Sequence, residues 1–239
     1  MIYQCYFKAD QTAKLFNTPA YTPFGLEPDV NSNLFLNCEE LRDPQVRLAL
    51  TEYACFLWFY RNQDKLPGCI GFTSYRQLDK SKIILDSLPM VESSTVVSWG
   101  VSEFFDAAGM PIPMSLQAEL AHPGINSYIN QSLSFFNHPI PKSWYLDNIC
   151  ILGNYWLMTK DNFIDFMNFS WPLVKKSLED FRKKSHVYFR SEMNFGCSSS
   201  KAVGYYMERL FIVWMMIKNL KISSVCEVKK MRSPVMIYV

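Results

Sequence analysis

Glu208 stands in a stretch that is apolar on nearly every side, between Val203, Met207, Leu210, Trp214 and Ile217 on one helical face and Phe211 and Ile212 on the other. A carboxylate there is at least partly withdrawn from water and needs a partner. Arg209 projects about 100° away around the helix, so the partner comes from another segment or is a ligand. Two chemistries suit such a group: a general base that takes a proton from a hydroxyl, or a structural salt bridge. Asp147, beside Asn148, and Asp79 are weaker candidates for the base, because both fall in polar turns where carboxylates are ordinarily exposed. Trp58, Trp99, Trp144 and Trp156 could each offer a ring face to a ligand, and most serve as core in a chain with 15% aromatic residues. Trp99 stands apart because it closes a strand before Gly100, at the end of an α/β sheet where ligands bind.

Other chemistries find no support in the residue pattern. The seven cysteines are scattered without a Cys-x-x-Cys pair and only three histidines accompany them, which points to reduced, mostly buried thiols and not to zinc or disulfides. No Gly-rich phosphate loop of the Walker or dinucleotide type occurs, nor any Asp-x-Asp pair of the kind that holds Mg²⁺ or Mn²⁺. The formal charge of +2 is too small to argue for nucleic acid as a partner. It is unevenly placed: residues 1–120 hold 9 Lys and Arg against 14 Asp and Glu, and residues 121–239 hold 15 against 8. The basic half suits a phosphate-bearing ligand or an anionic membrane surface, or reflects solvated helix faces such as Lys175-Lys176 and Arg182-Lys183-Lys184. No apolar run approaches the ~18 residues of a spanning helix and no leader pattern opens the chain, so a cytoplasmic protein is expected.

These groups must be positioned by a core that 49% hydrophobic residues amply supply, in one large domain or two small ones. Strands are expected over 2–7, 69–73, 95–99 and 155–158, with a possible edge strand over 235–239. Pro19, Pro23, Gly25 and Pro28 argue against regular structure over 18–33. Helical spacing, opened by Asp43-Pro44, predicts one helix over 44–62. Others are expected over 125–136, from Asp161 to a break at Trp171-Pro172, from there to about Ser185, and over 202–219, with 196–200 mobile. Strands alternating with helices favour an α/β class with a mixed, mostly parallel sheet flanked by helices.

Four fragments, in order, carry a family resemblance. Thr51-Glu52-Tyr53 with Leu57-Trp58-Phe59-Tyr60-Arg61-Asn62, then Ile70-Gly71-Phe72-Thr73-Ser74-Tyr75-Arg76, then the block from Asn154 to Phe163, and Glu208-Arg209-Leu210 resemble bacterial capsule and exopolysaccharide glycosyltransferases of GT-A fold. Gln117 to His122 is a weaker echo of the same family. Ser74 replaces that family's His and Gln77 its second Arg. The resemblance implies a single GT-A-like domain over 1–239, with a nucleotide-binding part over about 1–105 and an acceptor-side part over about 106–239. It implies a nucleotide-sugar donor, foremost a UDP-sugar, and a glycan or lipid-linked glycan acceptor at the inner face of a membrane. No cofactor is firmly implied; with no Asp-x-Asp, fixed cations would do the work of divalent Mn or Mg.

On that reading Arg76, just beyond a strand, binds phosphate oxygens bidentately, or else makes an ordinary surface ion pair. Tyr75, Arg209 and Trp99 join it on the donor side, while Asn154, His122 and Gln117 are candidates for sugar or acceptor contacts. Each has a plain alternative: packing for Tyr75, a strand-leading turn for Asn154, a structural histidine for His122. The rival to a transferase is a non-catalytic domain that keeps the fold and binds glycans or partners, a reading that Ser74, Gln77 and the absent Asp-x-Asp motivate.

Overall fold

The computed structural model describes residues 1–80, 83–151, 153–190 and 201–232; the segments 196–200 and 235–239 singled out above lie outside the described residues. The strands are β1 (Ile2–Tyr6), β2 (Tyr21–Gly25), β3 (Cys69–Ser74), β4 (Thr95–Ser98), β5 (Val101–Phe105), β6 (Ile149–Ile151), β7 (Trp156–Thr159), β8 (Lys221–Ser224) and β9 (Lys229–Arg232). The helices are α1 (Pro44–Leu50), α2 (Tyr53–Arg61), α3 (Gln77–Lys80), α4 (Met114–Ala121), α5 (Ile125–Phe135), α6 (Lys160–Lys183) and α7 (Ala202–Lys218). The chain divides into two compact units that interleave in sequence. Unit 1 takes Met1–Gly100, Gly153–Asn168 and Leu220–Cys226, and unit 2 takes Val101–Leu152, Phe169–Asn219 and Glu227–Val239.

Unit 1 is an α/β layer built on a six-stranded sheet of order β2-β1-β3-β7-β4-β8. Every pairing is parallel except the two made by β7, which runs against β3 and β4. This is the mixed, mostly parallel sheet that the alternating pattern implied. Strand alternation sends Tyr3 and Phe72 to a face covered by helices: Phe59 of α2 packs on Tyr3 at 4.2 Å between ring centroids, Phe56 on Phe72 at 4.2 Å, and Phe163 of α6 on Phe72 at 5.6 Å. The opposite face, with Ile2, Val97 and Leu157, is closed by Phe16, Ala20 and Trp99 and by the half-buried Ile83, Leu85 and Val91. Gly71 lies where β3 meets β7; a Cβ there would stand 2.7 Å from the Trp156 carbonyl oxygen, so only glycine permits that approach.

Three expectations need correction here. The Pro-rich stretch does contain a strand, because β2 pairs with β1 alone, and an edge strand tolerates the missing N–H of Pro23. The single helix over 44–62 is two: Asp43 caps α1 through its Oδ1 to the Gln45 N–H at 2.8 Å, but Thr51 takes φ 52° and ends it before α2 begins. Pro172 does not break α6, which runs on through it. The buried side chains Phe169, Trp171, Leu173 and Val174 around the proline hold that helix together.

Unit 2 carries a three-stranded sheet, β6-β5-β9, with β5 parallel to β9 and antiparallel to β6. These short strands, and α4, fall in stretches where the sequence pattern gave no such elements. Its core centres on Tyr128 of α5, whose ring meets Tyr206, Phe189 and Tyr188 and whose hydroxyl donates to Asp180 at 2.8 Å. Glu119 of α4 caps α5, its carboxylate accepting from the backbone N–H groups of Gly124 (2.6 Å) and Asn126 (3.1 Å). No helix among the described residues is long and apolar enough to cross a membrane.

Candidate functional site

The sequence-derived candidates fall into two sets, one in each unit. In unit 1, Tyr75 and Arg76 follow β3, Trp99 follows β4, and Asn154 precedes the antiparallel β7. All four therefore sit at the edge where the parallel strands end. β1 has β2 on one side and β3 on the other, so the chain leaves β1 and β3 in opposite directions. The carboxyl ends of β1 and β3 thus form the switch point at which open α/β sheets leave a crevice for ligands.

This edge is held by neutral hydrogen bonds. The Tyr75 N–H donates to the Cys5 carbonyl at 2.9 Å, extending the β1–β3 ladder by one residue. Tyr155 ties three segments together: its hydroxyl lies 3.0 Å from Ser74 Oγ, and its carbonyl accepts from Ser98 Oγ at 2.7 Å and from the Trp99 N–H at 3.3 Å. Ser74 Oγ also accepts from the Arg76 N–H at 3.3 Å. Gln77 is fully buried, donating to the Tyr21 hydroxyl at 3.0 Å and to the Ile83 carbonyl and accepting from Thr73 Oγ1 at 2.5 Å. The two departures from the family pattern are thus interior scaffolding, uncharged and turned away from solvent.

Arg76 is the exposed cation of this edge. Among the described residues no carboxylate lies within ion-pair distance of it; nearby Asp79 pairs with Lys14 at 3.3 Å. Asn154 is half-buried, next to Gly153 with its left-handed φ of 70°. Trp99 is fully buried in the apolar cluster on the loop-covered face, so its ring is packed against the core and presents no free face.

In unit 2 the structure gathers His122, Arg209 and Glu208 with two residues that the sequence did not single out, Cys150 and Tyr205. Tyr205 and Arg209 share a face of α7 by their four-residue spacing. His122, just past the end of α4, stacks on Tyr205 with ring centroids 4.3 Å apart and planes 12° from parallel. Arg209 is 3% exposed and donates from Nη1 to the Cys150 thiol of β6 at 3.3 Å. Burial, helped by the Arg209 charge, drives the His122 imidazole down to about 3, so it is neutral at physiological pH. Burial likewise lifts the Cys150 thiol to about 11, and Arg209 only partly offsets that. Glu208, half-buried, acts on Cys150 and Tyr188 through its charge. The i, i+4 relation of Tyr205 and Arg209 was readable in the sequence, whereas Cys150 lies 59 residues from Arg209 and gave no signal.

Two further candidates belong to the same unit. Asp147 is exposed in the turn before β6, and its backbone carbonyl accepts from the Met114 N–H at 2.8 Å. Gln117 is half-buried on α4, with Oε1 sequestered and without a hydrogen-bond partner among the described residues. The described residues contain no group of three His, Cys, Asp or Glu side chains placed to hold a metal ion.

Neither a protein-family profile nor a curated protein sequence matches the chain. Among solved structures it is similar to the apo structure of WbbM, a bifunctional glycosyltransferase, at 14% identity and a TM-score of 0.49; the match covers 97% of this chain and 44% of that one.

Proposed function

We propose that the chain is a glycosyltransferase of GT-A-like fold that moves a hexose from a nucleotide sugar, foremost a UDP-sugar, to a surface polysaccharide or lipid-linked glycan. The observation that carries this reading is Arg76: an exposed guanidinium with no carboxylate partner among the described residues, at the β1/β3 switch point of a mostly parallel sheet. Such a group neutralises the charge that builds on a departing nucleoside diphosphate, with Tyr75 beside it as a hydrogen-bond donor. The order of motif fragments along the chain supports the same assignment.

With no Asp-x-Asp pair in the sequence, this reading gives the charge stabilisation to fixed cations. On this reading Glu208 accepts the proton of the acceptor hydroxyl, Asn154 hydrogen-bonds a sugar hydroxyl, and Lys229 and Lys230 favour a peripheral position at an anionic membrane. Calorimetric titration with UDP, GDP and their hexose derivatives, with Mn²⁺ and again with EDTA, tests the reading. Saturable UDP-sugar binding that survives EDTA and weakens in Arg76→Ala supports it; no binding at millimolar concentration overturns it.

A second reading, a non-catalytic domain that binds glycans or partners, is favoured by one observation. Ser74 and Gln77 are both committed to interior hydrogen bonds where the family it resembles has ionisable groups. A protein that binds UDP-sugar yet releases no UDP with any acceptor would be of this kind.

A further inference from the structure

Arg209 carries a permanent charge at 3% exposure, and its hydrogen bonding is far from complete. A guanidinium has five N–H donors. Here Nη1 meets the Cys150 sulfur, a neutral thiol and a weak acceptor, and Nε has no partner among the described residues. None of the five ion pairs found among the described residues involves Arg209. A buried cation left in this state is costly unless an anion completes it. Beside it, His122 is 4% exposed and its Nδ1 also lacks a partner among the described residues. Held flat against Tyr205, the imidazole has little freedom to turn towards another acceptor.

The geometry points to an oxyanion-binding site in unit 2, in which Arg209 grips the anion and His122 adds a neutral hydrogen bond. The half-buried Tyr205 and Glu208 stand beside Arg209 in the sequence of α7. The ligand chemistry is that of a phosphate or diphosphate, which a planar fork of donors binds bidentately. Either a nucleoside diphosphate or the diphosphate of a lipid-linked glycan would present it. Only this choice of phosphate over carboxylate rests on the transferase reading; the site itself does not.

The chain has three histidines, so the imidazole nitrogen signals of ¹⁵N-histidine-labelled protein can be followed one by one, with His122→Asn supplying the assignment. Inorganic pyrophosphate, UDP, farnesyl diphosphate and glucuronate are titrated in turn into the full chain, and pyrophosphate affinity is measured by calorimetry. The expected result is that pyrophosphate moves the His122 signals and leaves those of His138 and His186 in place. Arg209→Gln should weaken pyrophosphate binding about tenfold or more. Whichever of UDP and farnesyl diphosphate moves His122 at the lower concentration identifies the source of the phosphate. A glucuronate response stronger than that of any phosphate would overturn the phosphate assignment. Pyrophosphate that binds without moving His122, that binds equally well to folded Arg209→Gln, or that does not bind at millimolar concentration overturns the site. If Arg209→Gln does not fold, the wild-type His122 response decides. Failure of UDP-sugar binding with the pyrophosphate response intact would sink the transferase reading and leave this site standing.

Discussion

His122 lies flat on Tyr205, its ring centroid 4.3 Å away, within electrostatic reach of the Arg209 guanidinium and cut off from water. Both burial and the neighbouring cation oppose its protonation, so the folded chain keeps it neutral down to about pH 3, whereas the unfolded chain protonates it near 6.5.

The pH dependence of stability follows directly. Between about 6.5 and 3 the unfolded state binds a proton that the folded state refuses, so stability falls as pH falls through that window and is unaffected above it. The slope from one such group is at most about 1.4 kcal/mol per pH unit. The groups set against His122 are the Arg209 charge and the Tyr205 ring. His138 and His186, whose values burial also lowers, add in the same direction. Urea unfolding of wild type and His122→Asn between pH 7 and 4 should show a shallower loss in the variant; parallel curves would refute the assignment.

Arg76→Ala should weaken UDP or UDP-sugar binding about tenfold, as expected for the loss of a charge-assisted contact to phosphate. Because the side chain is exposed and pairs with no described carboxylate, thermal stability should be unchanged. A variant that melts early but binds normally would make Arg76 a structural residue.

Glu208→Gln should lower kcat about 10²- to 10⁴-fold with little change in KM, provided that UDP release from a UDP-sugar is first established for the wild type. Undiminished turnover would remove Glu208 from the chemistry and leave it a structural carboxylate.

Gly71→Ala should destabilise the chain by about 1–3 kcal/mol, since the added methyl would meet backbone at the β3–β7 pairing and β7 has little room to retreat. Melting should drop by roughly 2–4 °C for each kcal/mol. A melting point within 1 °C of wild type (about 0.3 kcal/mol) would show that the two strands can part without cost.

The elements most legible in the sequence were those with a long apolar period and good punctuation. α5 and α7 stood out by spacing, β1, β3 and β4 by compact apolar runs, and the Asp43 cap by residue type. Punctuation misled where tertiary structure overruled it. Pro23 is harmless on an edge, Pro172 is tolerated among buried aromatics, and Thr51 ends a helix through a backbone angle that no residue type announces. The short strands β5, β6 and β9 carry too few residues for a period to show. In the candidate site, Arg76, Glu208, Arg209 and His122 were visible as types in context. That Arg209 would be buried against a thiol depends on a residue 59 positions away, and long-range pairing leaves no trace in local spacing.

The place of β7 bears on how the polypeptide emerges from the ribosome. β7 sits between β3 and β4, yet it is synthesised only after β5 and β6 of unit 2 have been made, roughly 60 residues beyond the end of β4. At roughly 5–20 residues per second, β3 and β4 wait several seconds with their pairing groups unclaimed. During that interval the nascent chain exposes open strand edges that carry Ile70, Phe72, Val96 and Val97, which makes it a natural client for a chaperone. By the same logic a fragment ending at Gly100 lacks the strand that joins its two halves, and expressing it alone should yield aggregate.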